Sequence, residues 1–177
     1  MSVTDPGLEA FDALSEAEAR RRLTECLDVA RWVDTVVAGR PYADRDALHH
    51  VAATAAAPGV VDDDELAAAL ARHPRIGERA GAGHDAAHSA REQGGVDRDD
   101  ADLQERLAAG NRAYEERFDR VFLVRAAGRD GAEVLAELER RLGNDDTTER
   151  DETVVQLGEI ARLRLDRLLD ELGGGAD

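Results

Sequence analysis

The chain has 177 residues, 42% of them hydrophobic and only 3% aromatic, with 23 basic against 39 acidic residues and a formal net charge of −16. A field of that sign excludes nucleic acid and anionic membranes as partners, because both demand a basic surface. All 23 basic residues are arginine, and without a lysine amine there is no Schiff-base enzyme and no Walker-type phosphate loop.

The length suits one domain spanning residues 1–177, able to bury about 70% of its unfolded surface. Alanine and leucine dominate the apolar residues, and β-branched runs are few, so helices are favoured. No apolar segment approaches 18 residues and the N-terminus lacks a basic-then-apolar signal pattern, so a soluble, cytoplasmic protein without a membrane partner is expected. The final Gly-Gly-Gly-Ala-Asp is not a peroxisomal tripeptide. Cys26 is the single cysteine, which leaves no intrachain disulfide.

In chain order, residues 1–8 are expected as a loose end. Ser15 with Glu18 three residues on forms a capping box, opening a helix whose buried stripe is Leu23, Cys26, Leu27, Ala30 and Val33. Residues 32–38 continue it or form a short second helix, stopped by Gly39. Arg40-Pro41-Tyr42 is a turn, and Asp44 or Asp46 starts a helix carrying Leu48, Val51, Ala52 and Ala55, broken by Pro58-Gly59. A helix over 62–71, capped by Asp62 with Glu65, turns Leu66, Ala69 and Leu70 inward. Proline cannot donate an amide hydrogen and restricts the residue before it, so the His73-Pro74 step must end that helix. After the glycines at 77, 81 and 83, a helix is expected from about His84 to Gly94-Gly95. A longer one spans 99–118, with Leu103, Leu107, Gly110 or Asn111, Tyr114 and Phe118 as its stripe. Residues 121–126 form an extended apolar connector closed by Gly128-Arg129-Asp130-Gly131. A helix with Val134, Leu135, Leu138 and Leu142 ends at Gly143-Asn144. The last helix opens at Thr148 with Asp151, buries Val154, Leu157, Ala161, Leu165 and Leu168, and order ends at 173–177. There is no internal repeat. Seven or eight helices with short loops make an all-α, single-domain bundle.

Polar residues gather around residue 73. Its imidazole stands at a helix exit, where the negative end of the macrodipole favours protonation; capping of carbonyls is the alternative role. Ser89, Glu92 and Gln93 are spaced i, i+3 and i+4 and share one helix face, which is either a polar pocket wall or a solvated surface. His84 and His88, at i and i+4, have the spacing that binds zinc on one helix, but Asp85 stands where metalloproteases carry glutamate and no third ligand is evident. His49 and His50 lie among Ala and Val and are expected to pack at or near the surface.

At this point the chain resembles a known family. His73-Pro74-Arg75-Ile76-Gly77 followed by Ser89-x-x-Glu92-Gln93 is similar to the 2-oxo-4-hydroxy-4-carboxy-5-ureidoimidazoline (OHCU) decarboxylases, which act after urate oxidation and produce (S)-allantoin. The likeness continues through Phe11, Trp32, Arg40-Pro41-Tyr42 and Asn111-x-x-Tyr114-x-x-x-Phe118. It extends to Phe122-Leu123-Val124-Arg125-Ala126 before Gly128-Arg129, to Arg141-Leu142-Gly143-Asn144 before Glu149, and to Glu159-Ile160-x-x-Leu163-Arg164-Leu165. Asp119 stands where the family usually has glycine, Tyr42 where it often has phenylalanine, and His88 precedes Ser89 in a region that varies.

The resemblance implies a cofactor-free, metal-free, all-α carboxy-lyase acting on a small molecule, and a homodimer. It implies that His73 transfers protons and meets the substrate hydroxyl while Pro74 shapes the wall. Glu92 orients His73 or accepts a bond from the substrate, and Ser89 and Gln93 hold ureido and ring groups. Backbone groups of Phe122, Leu123, Val124, Arg125 and Ala126 line the ring, on the view that an extended connector exposes unpaired N–H and C=O groups. Arg164 is the expected anion contact, against the alternative of an ordinary surface salt bridge. Two other functions fit the composition: a metal-dependent helical hydrolase using His84 and His88, and a non-catalytic helical interaction module.

Overall fold

The structure, a computed structural model, describes residues 5–77, 91–92, 94–96 and 100–174. Among the described residues there are eight helices and no strand. They are α1 (Pro6–Ala13), α2 (Glu16–Cys26), α3 (Ala30–Ala38), α4 (Arg45–Ala55), α5 (Asp63–Leu70), α6 (Ala101–Phe118), α7 (Gly131–Arg141) and α8 (Asp146–Gly174). The all-α expectation holds. The helices fall into two compact units, one built from residues up to Asp62 and from Gly158 onward, the other from Asp63–Leu157. Helix α8 supplies residues to both.

In the first unit α2 packs on α3 and α3 on α4. Trp32, Phe11, Leu23, Leu48, Leu165 and Leu169 are fully buried there, each such side chain contributing about 1.5–3 kcal/mol of transfer free energy. The indole N–H of Trp32, which could not be left unpaired in such a core, donates to the Ala52 carbonyl at 2.9 Å.

The N-terminus is not loose from residue 5 onward. Asp5 accepts from the Leu8 amide and Pro6 occupies the first helical turn of α1, where proline is best tolerated; Leu8 is buried. The Asp-Pro pair is a helix-start signal that the apolar pattern alone misses. Ser15 caps α2 through the Glu18 amide as expected, while the Glu18 carboxylate is engaged by Arg21. Residues 32–38 belong to a separate helix, because the chain turns extended at Leu27 and Val29. That break shifts the phase, so Val29 is buried and Ala30 exposed, contrary to the continuous stripe. Asp44, of the two candidates, caps α4.

In the second unit α6 packs on α7, and the approach is close at Gly110: a Cβ there would come within 2.6 Å of Leu138 Cδ2. Asn111, one position on, is buried as the stripe requires, so both candidate positions are used. Helix α6 ends with Asp119 at φ 51°, a left-handed cap that glycine adopts without strain. Asp130 and Glu133 form a full capping box on α7. The last helix starts at Asp146 rather than Thr148, since Asp145 accepts from the Thr148 amide and hydroxyl. Its predicted inward residues Val154, Leu157, Ala161, Leu165 and Leu168 are all buried.

Candidate active site

Helix α5 closes with a tightened last turn, in which the His73 amide donates to the Leu70 carbonyl at 2.9 Å. Pro74 then stops it, leaving His73 and Pro74 half-buried, Arg75 exposed and Ile76 buried. The loop that follows is fixed to one face of α6. Asn111 Nδ2 donates to the Ile76 carbonyl at 3.0 Å, and Arg75 forks onto Glu115 with Nε–Oε1 at 2.5 Å and Nη2–Oε2 at 2.7 Å. Gly77 turns the chain at φ 86°, where an added Cβ would stand 3.0 Å from Gln104 Oε1. Gln104, Leu107, Asn111 and Glu115 are three or four residues apart and therefore share that face. The hydrogen bond from Arg75 holds the Glu115 carboxyl below the usual carboxylate value. A depressed folded-state value stabilises at neutral pH and is lost as the pH falls through it, so this tie is intact near neutrality and released in acid.

Arg91 and Glu92 are helical, and Glu92 is 7% exposed, whereas Arg91 faces solvent. The solvated-face alternative therefore fails for Glu92. The chain leaves through Gly94 and Gly95, and at Gly95 a Cβ would come within 2.1 Å of the Arg129 carbonyl. That glycine is required by close backbone approach. Ser89 and Gln93, like His84 and His88, lie outside the described residues.

Residues 121–126 run without helix, turn or bend. Phe122, Val124 and Ala126 share one apolar cluster with Ile76, Val96, Leu107 and Tyr114. This period of two is that of an extended chain. The cluster also joins three segments named from the sequence: Ile76 follows His73 by three residues, Val96 follows Glu92 by four, and Phe122, Val124 and Ala126 belong to the connector.

The idea that the connector leaves its backbone unpaired needs correction. The Leu123 carbonyl accepts from Arg141 Nη1 at 2.7 Å, the Arg125 amide donates to Gln156 Oε1 at 2.8 Å, and the Ala126 carbonyl accepts from the Arg129 amide at 3.0 Å. Arg141 is itself wholly buried, with its guanidinium 4.9 Å over the Phe122 ring and ion-paired to buried Glu149. Glu149 also accepts from Tyr114 Oη and, at 2.8 Å, from Asn144 Nδ2. Burial first, then the bond to Glu149, pushes the Tyr114 hydroxyl well above the usual phenol value, so it stays a donor. In the sequence, Arg141, Asn144 and Glu149 stand out only as family matches; a charged residue on the apolar stripe of α7 is the local signal for a buried pair.

Arg164 is 5% exposed and belongs to the first unit, so it is no ordinary surface salt bridge. His49, in the same unit, packs with Nε2 2.7 Å from the Asp166 carboxylate.

Together the described residues of the second unit offer a half-buried imidazole at a helix exit, a buried carboxylate and a straight backbone segment, on three pieces of chain gathered by one core. Such a set suits proton transfer to a small polar ring compound held by main-chain groups.

A family model described as OHCU decarboxylase matches residues 12–166. The fold is similar to a crystal structure of OHCU decarboxylase in the presence of (S)-allantoin, with a TM-score of 0.68 and 20% identity over 83% of this chain and 96% of that one. At that identity the likeness bears on the fold. No curated protein matches the chain in sequence.

Proposed function

Because the chain belongs to the OHCU decarboxylase family, and is thus a carboxy-lyase of the urate-to-allantoin route, we propose that it converts OHCU to (S)-allantoin with His73 as the proton-transfer group. The match over residues 12–166 carries this reading, since it spans the His73 loop, Glu92, the 121–126 connector and Arg164.

The chemistry asks little beyond what these side chains supply. The carbon losing carbon dioxide bears a hydroxyl and neighbours the ring imine, which takes up the bonding pair. The resulting enol becomes the ketone by losing its O–H proton and gaining one at the carbon that bears the ureido group, with one proton taken up overall. The substrate is its own electron sink, so the reading calls for no cofactor. What remains is orientation and a proton delivered to one face. His73 meets the hydroxyl and moves the proton, Pro74 forms wall, and Glu92 orients the imidazole or accepts a bond from the substrate. Ser89 and Gln93 hold ureido and ring groups, while backbone groups of Phe122, Val124 and Ala126 read the ring, and Leu123 and Arg125 serve to anchor the segment through Arg141 and Gln156.

For Arg164 we propose contact with developing charge or the ureido oxygen. A clamp on the departing carboxylate would stabilise the ground state and slow the reaction. The proposal extends to a homodimeric, cytoplasmic protein, on the family pattern alone; no described helix is long and apolar enough to cross a membrane.

The test is release of carbon dioxide from OHCU generated in place by enzymatic urate oxidation. The protein should accelerate it over spontaneous decay, and Glu92→Gln should slow turnover on the order of 10²-fold while keeping helicity. An unaccelerated reaction contradicts the function, and an unaffected Glu92→Gln removes that carboxylate from the mechanism.

A further inference from the structure

We propose that Arg141 and Gln156 are positioning residues of the decarboxylation site, gripping one edge of the 121–126 segment so that its other edge is held in register for the substrate. This rests on the function proposed above.

In an extended chain the N–H and C=O of one residue point to the same edge, and those of the next residue to the opposite edge. Leu123 and Arg125 are two apart and therefore share an edge. The grip falls on these two: Arg141 Nη1 on the Leu123 carbonyl at 2.7 Å, and Gln156 Oε1 on the Arg125 amide at 2.8 Å. Val124, between them, presents its N–H and C=O to the other edge. The two gripping side chains come from different helices, α7 and α8, so the segment is braced from two supports.

Arg141 in turn cannot drift. Its Nε lies 2.9 Å from Glu149 Oε1 and its Nη2 3.0 Å from Thr153 Oγ1, and its side chain is wholly enclosed. Gln156 is half-buried and makes its contact through one amide oxygen. A site built on main-chain groups depends on such a brace, because small displacements of a backbone donor weaken its bond to a ligand steeply.

Gln156 permits a test without dismantling the core. Gln156→Leu and Gln156→Ala remove the acceptor; Gln156→Glu keeps an oxygen at the same reach. The acceptor-free variants are expected to raise KM for OHCU about tenfold, with kcat within about threefold of the parent and a melting point within about 3 °C. Gln156→Glu is expected to restore most of the KM. Parent-like KM in the folded acceptor-free variants, or a loss in Gln156→Glu equal to theirs, overturns the positioning role while parental turnover leaves the decarboxylase reading intact. A parent protein with no turnover overturns both.

Discussion

Replacing His73 with asparagine is expected to lower kcat for OHCU decarboxylation by about 10²- to 10⁴-fold, the range for loss of a general acid or base, while leaving helicity and melting point near those of the parent. The imidazole is the group that can both take and give a proton near neutral pH; asparagine keeps a polar side chain of similar reach but cannot titrate. The fold should tolerate the change because the loop is not held by the imidazole alone. The His73 amide completes the last turn of α5, Asn111 holds the Ile76 carbonyl, and Arg75 is forked on Glu115. A stopped-flow rate on the variant within a factor of about three of the parent would remove the acid/base role.

The second large effect is on stability. Arg141→Met should cost about 3–5 kcal/mol, because it leaves the Glu149 carboxylate buried without its counter-charge. Both members of the pair are fully enclosed, so water cannot take the place of the guanidinium. The loss also frees the Leu123 carbonyl inside the core. Set against a total stability of about 5–15 kcal/mol for a domain, such a change is near the limit of folding. Arg140 is the control: it too is ion-paired, with Glu137 and Glu152, but its side chain is half exposed, so Arg140→Met should cost under about 1 kcal/mol. Adding Glu149→Leu to Arg141→Met should recover part of the loss by removing the stranded charge. Urea unfolding reads all of these, and an Arg141→Met midpoint equal to that of Arg140→Met contradicts the buried-pair account.

Helical spacing made much of this fold legible. Leu103, Leu107, Asn111, Tyr114 and Phe118 must share a face if 101–118 is helical, and Val154, Leu157, Ala161, Leu165 and Leu168 likewise on α8. Caps were legible where an acceptor precedes a run at the right distance, as Ser15 and Asp44 do. Ala30 was not, because the extended break at Leu27 and Val29 is decided by packing and not by any proline or glycine. Asp119 illustrates a local rule overridden: an aspartate takes a left-handed cap that the pattern reserves for glycine.

In the site, the His73-Pro74 stop follows from covalent geometry and needs no tertiary information. The rail on α6 that holds it does, since Glu115 looks like any exposed helical acid until Arg75 is placed beside it. The buried Arg141–Glu149 pair is legible only in part: the apolar stripe of α7 marks Arg141, unlike Arg140 one residue away, as a charge facing inward, but its partner on α8 is decided by packing. The connector was legible as an extended apolar segment, but which of its backbone groups are already occupied depends on α7 and α8.

The most direct test of the central claim is the optical activity of the allantoin formed from freshly oxidised urate, followed by circular dichroism with and without the protein. The account predicts a rapid rise of the (S)-allantoin signal with the parent, sharply slowed in His73→Asn. Racemic allantoin appearing at the uncatalysed rate in the presence of the parent protein would contradict it.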